Sequence, residues 1–186
     1  IFIAGHGVTL GQRYFFIPHE FKRSEGDMET DIRNQGLPHD ELGDMLAEVP
    51  SLKRVIIFDT CQSGGALAIN RTARDPFAFR GALVRLSRAQ GHYVIGASAA
   101  SQQAQETSQL KHGLLTYTLL AGMKAVNEGP LVGQTVNASD KVVKVRDWFG
   151  YAQDKVPLLT KLYFGEEQFI EFTGRGESFP VLPLPE

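Results

Sequence analysis

The stretch that most constrains this chain is Val55-Ile56-Ile57-Phe58, which runs directly into Asp59-Thr60-Cys61-Gln62-Ser63-Gly64-Gly65. Four apolar residues in a row, two of them isoleucine, read as a short strand covered on both faces, the form strands take inside a parallel sheet. The run stops abruptly at an acid, a hydroxyl and a thiol. Two glycines then let the backbone turn sharply, which leaves the chain's one cysteine at the carboxyl end of its strand. The first residues, Ile1-Phe2-Ile3-Ala4-Gly5-His6-Gly7, repeat the design with a histidine between glycines. In an open α/β sheet the functional crevice lies outside the carboxyl ends of the strands. Neighbouring strands are about 4.8 Å apart, so His6 and Cys61 meet at that edge if their strands are neighbours.

The pair has a chemistry. A cysteine attacks as its thiolate, and a free thiol with a pKa near about 8.5 supplies little of it at neutral pH. An adjacent imidazole accepts the thiol proton and later gives it to a leaving amine. The bland alternatives are a buried core cysteine and a histidine satisfied by backbone; strand-end placement, flanking glycines and the matching partner favour the catalytic reading. His19, His39, His92 and His112 lack such a context and read as structural or surface residues. The backbone N–H groups of Cys61 and Gly7 are the natural donors for an oxyanion, although Gly7 reads equally well as a plain turn glycine. Asp59 precedes Cys61 by two residues, so strand alternation gives both positions the same side.

These motifs resemble the caspase and metacaspase family of cysteine peptidases. The family histidine lies roughly 50 residues before the cysteine, and here the separation is 61 minus 6, or 55. The Q-A-C-x-G form of caspases is absent, whereas Asp59-Thr60-Cys61-Gln62-Ser63-Gly64 looks like the D-x-C-x-S-G pattern of metacaspases and their bacterial relatives. The resemblance continues through Tyr14-Phe15-Phe16-Ile17-Pro18, Leu37-Pro38-His39-Asp40-Glu41-Leu42 and the segment from His112 to Leu120. It implies an α/β fold, a caspase-like three-layer αβα sandwich with a mostly parallel central sheet. It also implies a cysteine endopeptidase with His6 and Cys61 as catalytic residues and Gly7 and Cys61 as the oxyanion donors. Asp59 then helps form a pocket for Arg or Lys, with an acid bonded to a neighbouring loop as the alternative. Ser98 and the loop after it, including Gln103 and Glu106, wall the cleft. In the family two further strands precede the histidine strand, so the chain is expected to lack its N-terminal strands and a fused regulatory domain.

Other features bound this reading. One cysteine permits no internal disulfide, and 186 residues with 42% hydrophobic content suit a single domain, residues 1–186, with a sizeable core. With 19 basic against 21 acidic residues, the net charge of -2 gives no reason to expect nucleic acid or an anionic membrane as partner. Protein or peptide substrates are the expected partners, and the cytoplasm the expected setting. Many metacaspases need calcium. Here Glu25, Asp27, Glu29 and Asp31 fit no calcium loop and Ala68 stands where a family aspartate is expected, so no metal and no cofactor are expected. A non-catalytic caspase-like scaffold is the alternative function, opposed by the intact His6 and Cys61. A small-molecule domain on the same sheet would want a phosphate loop such as G-x-G-x-x-G, which is missing.

Along the chain, Val8 to Gln12 reads as a turn, Arg13 to Ile17 as a strand, and the polar run from Lys22 to Asn34 as a surface loop. Leu42, Met45, Leu46 and Val49 at helical spacing predict a helix from Pro38, stopped by Pro50. It supplies the crossover that parallel neighbours require. Further helices are expected over residues 77–89, 113–126 and 145–156, the last stopped by Pro157. Strands are expected over residues 93–97, 168–172 and 179–181. The connection from Ala68 to Gln90 carries Arg71, Arg74 and Arg80, which offers either self-cleavage sites or a basic surface helix.

Overall fold

The structure is a computed structural model that describes residues 1–62, 76–88, 92–98, 110–138, 140–165 and 168–184. Its centre is a six-stranded sheet. The strands are β1 (Phe2–Leu10), β2 (Arg13–Ile17), β3 (Leu37–Pro38), β4 (Arg54–Gln62), β5 (His92–Ser98) and, one strand later in the chain, β7 (Phe169–Gly174). Their order is β3-β2-β1-β4-β5-β7. The inner trio β1-β4-β5 is parallel, whereas β1-β2, β2-β3 and β5-β7 pair antiparallel. The expected mostly parallel sheet is therefore mixed. A second small sheet joins β6 (Val142–Lys144) to β8 (Pro180–Pro183).

Helices cover both faces. On one, α2 (His39–Ala47) and α3 (Pro76–Leu86) pack Leu42, Leu46 and Leu83 on Ile56, Phe58 and Val94. On the other, α4 (Leu114–Gly122) and α5 (Val145–Phe164) pack Leu115, Leu119, Phe149 and Val156 on Tyr93 and Ile95. Trp148 Nε1 donates to the Leu119 carbonyl at 2.8 Å and ties α5 to α4. Among the described residues no helix is long and apolar enough to cross a membrane.

Several elements differ from the sequence reading, each for an identifiable reason. β1 does not end at His6. It continues to Leu10 because Val8 and Leu10 are buried beside Phe15 and Ile32, and the turn falls at Gly11. The polar run from Lys22 is not all loop: it holds α1 (Met28–Gln35), whose N-cap Asp27 accepts from Thr30 N at 3.1 Å and whose Ile32 is fully buried. On α2 the stripe is narrower than the spacing suggests. His39, Leu42 and Leu46 are buried, Met45 and Val49 are exposed, and the helix ends at Ala47, before Pro50. α4 ends four residues early because the Gly122 carbonyl accepts from both Val136 N and Thr135 Oγ1.

Pro157 does not stop α5, which runs on to a left-handed Gly165. An interior proline costs about 3 kcal/mol. Burial of Val156 and Leu159, at about 1.5–3 kcal/mol for each side chain, offsets that.

Candidate active site

β1 changes partners at the histidine. Residues Phe2 to Gly7 pair with β4, and His6 to Leu10 pair with β2. Within the parallel ladder, Ala4 faces Asp59, His6 faces Cys61 and Gly7 faces Gln62. His6 and Cys61 are thus lateral neighbours at the last rungs of β1 and β4, with the His6 side chain exposed. Strand alternation carries His6 and Asp59 to the sheet face that α4 and α5 cover.

Asp59 is 9% exposed and is engaged by α4. One of its oxygens accepts from Thr116 N at 3.1 Å and also from the Thr116 hydroxyl. Thr116 is the third residue of a helix that begins after Gly113 and has no cap from its own N-cap residue. The carboxylate therefore caps α4 from a strand, where the positive end of the helix favours an anion. A Cβ on Gly113 would overlap this carboxylate, so the helix can approach β4 so closely only with glycine there.

Gly7 has an equally concrete packing role. It is buried, and a Cβ at this position would overlap the Tyr14 hydroxyl and ring. Tyr14, from β2, crosses over Gly7 and shares a 2.9 Å hydrogen bond with the hydroxyl of Thr60 on β4. A strand N–H lies in the sheet plane and points toward a neighbouring strand. Gly7 has such a neighbour on both sides, Phe16 and Gln62.

The other expectations divide. Ser98 is the last residue of β5, in register with Phe169, and reaches the same carboxyl edge as Cys61. Gln103, Glu106, Ala68, Arg71 and Arg74 lie outside the described residues. Arg80 is on α3, exposed, with its Nε 3.7 Å from a Glu171 carboxylate oxygen. Asp31 accepts from both the backbone N and the hydroxyl of Ser24, at 2.8 and 3.0 Å, and Asp27 caps α1. Among the described residues no group of three or more His, Cys, Asp or Glu gathers where a metal ion would sit. His39 and His92 are buried, while His19 and His112 are exposed. His39 Nε2 accepts from Arg85 Nε at 2.8 Å; burial, then the Arg85 charge, push this imidazole below its usual range.

Sequence reasoning did not single out Thr116, Gly113, Tyr14 or Thr60 as parts of the site. The first two lie within the segment from His112 to Leu120, but only the fold brings them to Asp59. Comparison with protein-family models, with curated proteins and with solved structures finds no match for this chain.

Proposed function

We propose that the chain is a caspase-like cysteine endopeptidase that cleaves after Arg, and less well after Lys, and works in the cytoplasm. One observation carries the reading: His6 and Cys61 are register partners on adjacent parallel strands, at the edge where such sheets hold their chemistry. In this reading His6 takes the Cys61 proton and the thiolate attacks the scissile carbonyl. The tetrahedral oxyanion is received by the N–H groups of Cys61 and Gly7, of which Gly7, set between two strands, is the weaker donor. His6 then protonates the leaving amine, and water releases the acyl group. Asp59 supplies the charge that selects a guanidinium over an ammonium, since one carboxylate can take two parallel bonds from arginine. Its engagement with Thr116 would hold the acid in a fixed position beneath the site. Self-cleavage at Arg71, Arg74 or Arg80 belongs to the same reading.

The test is cleavage of fluorogenic peptides ending in Arg, Lys, Asp or a neutral residue, with thiol-directed irreversible labelling in parallel. Cys61→Ala and His6→Ala should each lower turnover at least about a thousandfold, as removal of a member of a catalytic set does. Labelling should map to Cys61. Wild-type turnover by purified Cys61→Ala would eliminate the proposal, and fragments common to both proteins would point to a contaminating protease.

A further inference from the structure

At the opposite edge, the amino ends of β4 and β5 border a cavity of about 430 Å³ reaching between α2 and α3. Among the described residues its ionisable walls are all basic: Arg54 begins β4, Arg85 lies in the last turn of α3, Arg88 follows that helix, and His92 begins β5. Leu46 and Leu86 supply apolar wall. Among the described residues no Asp or Glu lines it and none of the three arginines forms an ion pair. Neutral groups engage two of them instead. Arg54 Nη2 donates to the Val49 carbonyl, and Arg85 donates to His39 Nε2 and, at 3.5 Å, to the Gln12 carbonyl. Arg54 Nε is buried without an acceptor among the described residues.

Basic residues near the end of α3 are favourable to the helix dipole, but that dipole amounts to only about half a charge. It does not account for three guanidinium groups and an imidazole around one concavity. Burial first, and then the Arg54 charge, hold His92 below the usual imidazole range. The volume exceeds what a bare oxyanion fills and lies within the range of about 300–1,000 Å³ typical of small-molecule sites.

We propose that this cavity binds a phosphorylated small molecule, its phosphate held by Arg54, Arg85 and Arg88 and its body resting on Leu46 and Leu86. Guanidinium forks match phosphate oxygens in pairs, and a dianion answers three positive charges better than a single carboxylate does. The site stands apart from the peptidase reading and would exist without it.

The purified chain is titrated with inorganic phosphate, a nucleoside monophosphate, the parent nucleoside and acetate, at constant ionic strength set by sodium chloride. Thermal melting and the His92 imidazole NMR signal are followed. Both should respond saturably to the two phosphates and not to nucleoside or acetate, with the monophosphate the tighter ligand. Arg88→Gln, at an exposed position, should weaken binding about tenfold, the worth of a charge-assisted bond. Arg23→Gln, exposed elsewhere, should leave it unchanged. A response that sodium chloride or acetate reproduces would overturn the proposal, as would wild-type affinity in both Arg54→Gln and Arg88→Gln.

Discussion

At the carboxyl edge of the β1-β4-β5 trio, polar groups are matched at short range: Asp59 to Thr116, Tyr14 to Thr60. At the amino edge, Arg54, Arg85, Arg88 and His92 border one cavity without an acid among them. The difference is made partly by absent side chains. Gly7 and Gly113 admit Tyr14 and Asp59 to positions that a single methyl would deny them. One edge is thus closely fitted, whereas at the other Arg54 and Arg85 meet neutral partners among the described residues. The contrast can be broken from either side.

The largest effect should come from Gly7→Ala. The added methyl meets the Tyr14 ring, and overpacking of this kind costs about 1–3 kcal/mol. With a shift of about 2–4 °C per kcal/mol for a chain of this size, the melting temperature should drop by roughly 2–12 °C. In a Tyr14→Ala background the same change should cost much less, because the two positions share one space. Melting of Gly7→Ala at the wild-type temperature would show that the edge is not closely fitted there.

A smaller and more selective effect is expected from Asp59→Asn. It should lower kcat/KM for Arg peptides at least about tenfold, equivalent to about 1.4 kcal/mol, while neutral peptides suffer less. Thr116→Val removes only the hydroxyl donor, so it should cost about 1 kcal/mol of stability and leave the Arg preference intact. If both variants lost stability alike and neither changed selectivity, Asp59 would be an anchor for α4 and nothing more.

The smallest effect concerns pH and belongs to the basic edge. His39 and His92 both have folded-state pKa values below the ordinary 6.5, first because of burial and then because of Arg85 and Arg54 respectively. The unfolded chain therefore takes up protons that the native one refuses. Their contribution to stability is complete above about pH 6.5 and is lost as pH falls through that value toward the lower folded pKa. Urea midpoints between pH 7.5 and 5 should decline, and His92→Gln should flatten the decline. A slope unchanged in His92→Gln would mean that the folded state does not depress the pKa of this imidazole.

β4 and β5 were legible in the sequence because each carries a short apolar run that gives way to a polar residue, as at Phe58-Asp59, whereas β1 runs past His6 to Leu10. The α2 crossover was legible from Leu42 and Leu46. α1 was hidden because a cap at Asp27 and one buried isoleucine hold it, with no apolar stripe to see. The full length of α5 was hidden because proline carries a local penalty, whereas the burial that overrides it at Leu159 depends on the rest of the fold. The candidate pair itself could be read from spacing, but its surroundings could not. Asp59 and Thr116 are 57 residues apart, and Arg54, Arg85 and His92 become neighbours only where two strands and a helix end together.

The hydroxyl pair of Tyr14 and Thr60 has a further consequence for how faithfully the sheet aligns. A parallel ladder can slide, and a slip of one residue turns every side chain to the opposite face. Sliding β4 by one position would set Thr60 or Gln62 beside His6 in place of Cys61. Tyr14 belongs to the strand on the far side of β1, so its bond to Thr60 spans both ladders and breaks under either displacement. A contact on one face of the sheet thereby acts as a catch that keeps the register of His6 with Cys61 in step.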